Sequence, residues 1–210
     1  MAGDSPNLRS HLPTPAEVIS GIILAAGSSK RLGRPKQLLD LEGRPLLQHV
    51  VDAAAGAGLQ EIVVVLGHDA ERIAAALVLP SSARAVVNPD HSAGQSTSLR
   101  TGLDALDPGA EAAAILLGDQ PRLGASAIIR VIDGFRSGPS PIARAMWRGV
   151  PGHPVVVARS EWDRFRGSEG DVGARHVISA SREVAEIEMD EAPPVDVDTW
   201  EQYETVRTDR

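Results

Sequence analysis

The sequence predicts a three-layer α/β/α fold built on a mostly parallel, doubly wound, Rossmann-like sheet. Three observations carry that expectation. Short apolar runs recur without polar alternation, as strands covered on both faces require. Amphipathic stretches with apolar residues at helical spacing separate them, and glycines stand near the ends of those stretches as stop signals.

In chain order, the first sixteen residues hold no apolar core of signal-peptide length and are read as a flexible tail, leaving 17–210 as a single domain. Ile22 to Ala25 is the first strand. Leu46 to Ala57 reads as a helix, closed by Gly56 and Gly58. Ile62 to Leu66 is a second strand, followed by a helix over Ala70 to Leu77. Ala85 to Val87, Ser96 to Leu106, Ala113 to Leu117 and Ser126 to Phe135 repeat the strand and helix pattern, with Gly134 near the last end. The order βαβαβαβα implies right-handed crossovers and a doubly wound sheet. Beyond Pro139 the pattern loosens: Ile142 to Trp147 and Pro154 to Ala158 read as strands around a turn at Pro151 and Gly152, and Val184 to Glu188 as another.

Composition narrows the function. The chain has 210 residues, a net charge of -7 and no cysteine, with a pI near 5.4. An acidic chain lacks the broad positive field of nucleic-acid binders, so an anion has to be held locally. The absence of cysteine removes disulfides, thiolate catalysis and thiolate-ligated zinc, and it agrees with a reducing compartment; the cytoplasm is expected. No run approaches the ~20 residues of a membrane span. His11, His49, His68 and His176 show no metal-ligand spacing with one another and receive no role.

Ligands in such sheets bind at the carboxyl ends of the strands, so the loop after the first strand is the place to look. There Lys30, Arg31, Arg34 and Lys36 crowd together, and these include both lysines of the chain. The loop fits neither a Walker A pattern nor GxGxxG. Ala25, Ala26 and Gly27 are too small to obstruct a nucleotide, and Ser28 and Ser29 can turn backbone N–H groups toward phosphate oxygens. Arg31 supplies a fixed fork of charge and Lys36 a mobile point charge. Asp119 follows the most apolar strand, where a carboxylate either holds Mg2+ against phosphates or caps the next turn.

The stretch LAAGSSKRLGRPKQLL resembles the signature loop of the MobA-like nucleotidyltransferases, with Leu32 in place of their usual Met. NPDHSAGQSTSLRTGL, LLGDQP, GHPVVV, GDVGAR and DVDT continue the resemblance in order over residues 19–205. LAAG together with GDQP is most similar to the molybdenum cofactor cytidylyltransferases. The resemblance implies the three-layer nucleotidyltransferase sheet and a nucleotide site formed by Leu24, the small-residue loop, Gly94, Gln95, Ser96, Ser98 and Gly118. Ser96 also reads as a simple helix cap. Asp198 is implied as Asp119's partner in holding Mg2+, although Asp196, two residues away, would share its face on any strand. His153 and Arg175 match segments facing the acceptor, while a structural histidine and a surface salt bridge are their plainer readings.

The implied reaction joins CMP from CTP to the phosphate of molybdopterin, a phosphorylated pterin, and releases pyrophosphate. Arg31 and Lys36 are the catalytic cations, because two anions must meet and no protein nucleophile is needed. A molybdoenzyme receiving the product is the implied partner. Other readings of the same fold are a guanylyltransferase or a transferase with another phosphorylated acceptor, a nicotinamide-nucleotide oxidoreductase, and a non-catalytic cofactor carrier.

Overall fold

Continuous apolar strands can be buried on both faces only if helices cover both, and that demand organises the protein. A computed structural model describes residues 18–168, 170 and 173–209; the tail expected over residues 1–16 lies outside them. The strands are β1 (Ile19–Ala25), the ribbon β2 (Asp40–Leu41) and β3 (Arg44–Pro45), β4 (Ile62–Leu66), β5 (Ala83–Val87), β6 (Ala112–Leu117), β7 (Ile142–Trp147), β8 (Val150–Ala158) and β9 (Val184–Met189). The helices are α1 (Leu46–Gly56), α2 (Ala70–Ala76), α3 (Gln95–Ala105), α4 (Ala125–Ser137), α5 (Trp162–Arg166), α6 (Gly173–Ser179) and α7 (Trp200–Thr208).

Seven strands form one sheet in the order β5-β4-β1-β6-β8-β7-β9, parallel except for β8, which runs antiparallel to both neighbours. The winding reverses between β1 and β6, creating a crevice at their carboxyl ends. Successive residues of β1 point to opposite faces: Ile23 packs with α1, α2 and α4, and Ile22 packs with α3, α5 and α6. Helix α3 lies so close to the sheet that a Cβ on Gly102 would stand 2.6 Å from Cγ2 of Ile22. A third cluster sits past the carboxyl edge, where Leu32, Leu39, Leu41 and Leu46 pack on Val197 and Val206. It ties the basic loop to the C-terminal segment. Among the described residues no helix is long and apolar enough to cross a membrane.

Beyond the ribbon β2–β3 and the helices α5 and α6, which have no counterpart in the sequence reading, and β5, an edge strand that is only partly covered (Val87 is 59% exposed), two further details depart from the sequence expectation. The β7–β8 reversal is made by Arg148 and Gly149, both at positive φ (48° and 81°), rather than at Pro151 and Gly152. Two consecutive left-handed residues match the twist of a tight hairpin. Pro151 and Gly152 instead lie inside β8, just before its register slips: Ala145 pairs with Gly152 but Arg144 pairs with Val155. The second departure is α7, for which the sequence reading has no counterpart. Thr199 and Gln202 form a full capping box at its start, and that spacing is a legible helix signal.

Candidate active site

At the switch point an open cleft of about 810 Å3 is floored by Leu24, Ala25, Ala26 and Gly118 and walled by the basic loop. The loop keeps its shape through side chains that face inward. Gln37 is buried and donates from Nε2 to the carbonyls of Ala25 (2.8 Å) and Gly27 (3.0 Å). Ser29 adopts φ 50°, and its hydroxyl accepts the Lys36 backbone N–H at 3.0 Å. Gly27, Ser28, Lys30, Arg31 and Lys36 face the cleft, whereas Ser29 is not among the lining residues. Ser28 thus lines the cleft, and the Ser29 side chain braces the loop. Gly118 leaves no space for a side chain, since a Cβ there would lie 2.8 Å from Cβ of Ala25 and 3.0 Å from the carbonyl of Leu24.

Lys36 is the electrostatic centre. Its Nζ donates to Asp119 Oδ2 at 2.6 Å and to Asp198 Oδ1 at 2.7 Å, with 12% of the side chain exposed. Arg31 reaches the other oxygen of Asp198 at 3.0 Å, but from solvent. Burial disfavours the Lys36 charge, yet the Asp119 carboxylate and the bonds to both aspartates outweigh it and hold the ammonium above its usual range. Asp198 is pulled the other way. Desolvation raises its pKa, but Lys36 and Arg31 together bring it below the ordinary carboxylate value. Asp119 keeps one buried oxygen, Oδ1, with no hydrogen-bond partner.

These carboxylates meet because the Val197 N–H donates to the carbonyl of Asp119 at 3.0 Å, and because Gln202 Oε1 accepts from the N–H groups of Asp198 and Thr199. The α7 capping box thus also positions Asp198. The segment 190–198 is not a strand, so the expectation that Asp196 and Asp198 share a face does not hold. Asp198 lines the cleft and Asp196 lines a neighbouring cavity. Among the described residues no cluster of three or more His, Cys, Asp or Glu side chains is arranged to hold a metal ion. An ion placed here has two carboxylates at most and must complete its shell with other oxygens.

The opposite wall comes from the start of α3. Gly94 is the N-cap, with φ 112° and no side-chain cap bond, so the capping role considered for Ser96 is absent. Ser98 is buried, and its Oγ accepts from Asn88 Nδ2 at 3.0 Å. Gly94, Gln95 and Ser98 line the cleft, while Ser96 lines the neighbouring cavity. His68 and His91 also line the cleft, their rings 6.2 Å apart. Sequence reasoning gave them no role: it weighed His68 only for metal spacing and met His91 only as part of the stretch leading into α3. Their positions just after β4 and β5, at the carboxyl edge, are the signal that could have found them.

The second cavity, about 660 Å3, shares Leu24, Gln95 and Leu117 with the cleft. His153 and Arg175 both line it, as do Trp147, Arg144, Gln120 and Asp196. The register slip in β8 displaces His153 from the regular ladder, the way bulges re-aim side chains beside sites. Burial, then the Arg175 charge, lowers the His153 imidazole to about 4, so it is neutral near pH 7. Burial and the Asp119 charge raise Asp196, against the 2.7 Å bond that Gln120 Nε2 donates to it. Gln120 Oε1 and Arg144 Nε are buried without partners. Of the GDVGAR segment, Asp171 and Val172 lie outside the described residues.

A doubly wound sheet with a cationic small-residue loop and a carboxylate at the switch point places this protein among the α/β proteins that bind ligands where the strand order reverses. The chain belongs to the MobA-like NTP transferase domain family, whose model matches residues 21–185. It is 33% identical over 195 residues to nicotine blue oxidoreductase of Paenarthrobacter nicotinovorans, covering 88% of this chain and 94% of that protein. The crystal structure of Rv0371c from Mycobacterium tuberculosis superposes with a TM-score of 0.83 at 31% identity, covering 92% of this chain and 99% of that one. A second Rv0371c structure, described as a complex with manganese, has a TM-score of 0.79 at 30% identity, covering 92% and 100%.

Proposed function

We propose that the protein transfers CMP from CTP to the phosphate of a pterin, molybdopterin, with a divalent ion as cofactor. The observation that carries the reading is the pairing of Lys36 with Asp119 and Asp198 at the mouth of a nucleotide-sized cleft that shares a wall with a second cavity. The unpartnered buried Oδ1 of Asp119 suits a hard cation. A bound Mg2+ would supply Lewis-acid charge against the phosphates, and a similar protein, Rv0371c, has a structure in complex with manganese, in keeping with a divalent ion.

This chain's residues do the rest. Ala25 and Ala26 leave room for the base, and Arg31, Lys36 and the Ser28 backbone draw the triphosphate along the loop. An acceptor phosphate oxygen in the second cavity then bonds to the α-phosphorus, while the bond from that phosphorus to the pyrophosphate oxygen breaks. The incoming oxygen is already ionised, so no protein base is required. His153, uncharged, and Arg175 orient the acceptor. The cytoplasm, with a molybdoenzyme taking the product, is the setting that fits.

Pyrophosphate release measured with each nucleotide, with and without acceptor, tests the reading. CTP should exceed GTP in kcat/KM, by up to ~10⁴ if polar groups are left unpaired against guanine. Equal use of GTP would remove the cytidylyl assignment and leave the reaction class standing. The near full-length likeness to nicotine blue oxidoreductase favours one other reading, a redox enzyme using a nicotinamide nucleotide. That reading requires oxidation of a reduced nicotinamide nucleotide and no pyrophosphate.

A further inference from the structure

We propose that Lys36 is a gate on the metal site, competing with the divalent ion for one gap and released from it by the triphosphate. The proposal rests on the transferase reading for the identity of the two ligands, but its test is a binding measurement. Lys36 Nζ contacts one oxygen of each carboxylate, at 2.6 and 2.7 Å. Asp119 keeps Oδ1 unpartnered, but both oxygens of Asp198 are taken, Oδ1 by Lys36 and Oδ2 by the exposed Arg31, so an ion with ligand bonds of ~2.1 Å to both carboxylates competes with Lys36 for the space at Asp198 Oδ1. Ammonium and divalent ion cannot share it, because like charges at such a separation repel strongly in a partly desolvated pocket.

A divalent ion arriving alone must therefore evict an ammonium that is 12% exposed and then leave it without a counter-charge beside a dication. A triphosphate changes this balance. It offers Lys36 new anionic partners across the cleft and brings oxygens that complete the ion's shell. Metal and nucleotide should consequently bind with positive coupling, each raising the other's affinity by the same factor. Arg31 is built differently. It holds the outer oxygen of Asp198 with 67% of its side chain exposed, and it does not bridge the two aspartates. It adds positive charge without blocking the gap.

The experiment titrates the full chain with MnCl2, reading free Mn2+ by electron paramagnetic resonance, with and without a non-hydrolysable α,β-methylene CTP. Wild type should bind Mn2+ alone weakly and at least ~10-fold more tightly with nucleotide, within the usual range of coupling. Lys36→Met should bind Mn2+ alone at least ~10-fold more tightly than wild type and lose most of the coupling. Arg31→Met should shift Mn2+ affinity much less, which separates a gate from simple removal of positive charge. Equal Mn2+ affinity in wild type and Lys36→Met, or an equal gain in Arg31→Met, overturns the proposal. The wild-type coupling stands on its own should Lys36→Met fail to fold, and its absence overturns the gate as well. Failure of the gate leaves pyrophosphate release untouched. Conversely, a protein that shows the coupling but releases no pyrophosphate keeps the gate and loses the transferase reading.

Discussion

The two cavities share Leu24, Gln95 and Leu117, yet they are built on opposite terms. In the first cleft, Lys36, Arg31, Asp119 and Asp198 are paired with one another, and the buried atoms left without partners, Asp119 Oδ1 and Gln37 Oε1, stand beside those charges. In the second cavity, Gln120 Oε1 and Arg144 Nε are buried without partners among Trp147, Val155 and three prolines, with no ion pair between the described lining side chains beside them. A paired set of charges is stable as it stands and works by exchanging partners when a polyanion arrives. Unpartnered atoms in an apolar wall instead reward one ligand shape and penalise others. In the proposed reaction the first arrangement would supply catalytic charge and the second selection of the acceptor.

The largest effect should follow from breaking the first arrangement. Lys36→Ala removes the cation that serves both aspartates and should lower turnover by ~10² to 10³, the scale of a lost preorganised transition-state donor. Single-turnover pyrophosphate release at saturating nucleotide checks this. Near-normal turnover would take Lys36 out of the chemistry and make the cleft's charges merely structural.

The second effect concerns stability and belongs to the second cavity. The unfolded His153 imidazole takes its proton near 6.5 and the folded one near about 4. Between those values the unfolded chain binds more protons, so stability falls as pH drops through this window. The loss approaches about 3 kcal/mol, at 1.36 kcal/mol per unit of pKa. Urea unfolding of wild type and His153→Gln from pH 7 to 4 isolates the contribution. The variant should lose less stability across the window, and identical slopes would show that His153 is not shielded from water.

How much of this was legible depends on which physical signal each part leaves. Strands β1, β4 and β6 are covered on both faces and so announce themselves as apolar runs. The basic loop is equally plain, since both lysines of an acidic chain stand in it. What the residues alone could not give was the choice between Asp196 and Asp198, because it depends on where an irregular segment leaves the sheet. The Val197 N–H bond to the Asp119 carbonyl and the α7 capping box set Asp198 beside Lys36 and leave Asp196 to the neighbouring cavity. The loop-bracing roles of Gln37 and Ser29 were hidden for a similar reason: they satisfy backbone groups of neighbours, and composition carries no trace of that. The hairpin was misplaced because a Pro-Gly pair signals a turn more strongly than Arg-Gly does. In β8 the slipped register lets proline sit within the strand.

Gln120→Met tests the acceptor wall at the next size of effect. It keeps the volume but deletes the orphan oxygen and the bond to Asp196. The acceptor KM should rise roughly 10-fold, the worth of one directional bond of about 1.4 kcal/mol. With both substrates varied, the CTP KM and kcat should change little. A rise confined to the CTP KM would place Gln120 on the donor side and blur the division between the cavities.

The smallest effect separates two adjacent serines of one loop. Ser29 accepts the Lys36 N–H and lies outside the lining, whereas Ser28 lies within it. Ser29→Ala should thus cost about 1 kcal/mol of stability, the value of one hydrogen bond, and lower turnover only ~5-fold. Ser28→Ala should leave stability unchanged, and any effect it has should be on the nucleotide KM. Because Ser29 acts only through the placement of Lys36, its effect on turnover should vanish when Lys36 is already alanine. A double-mutant cycle measures that coupling directly. If Ser29→Ala still lowers turnover by the same factor in the Lys36→Ala background, Ser29 meets the nucleotide by itself, and the loop has two phosphate-facing serines rather than one that binds and one that braces.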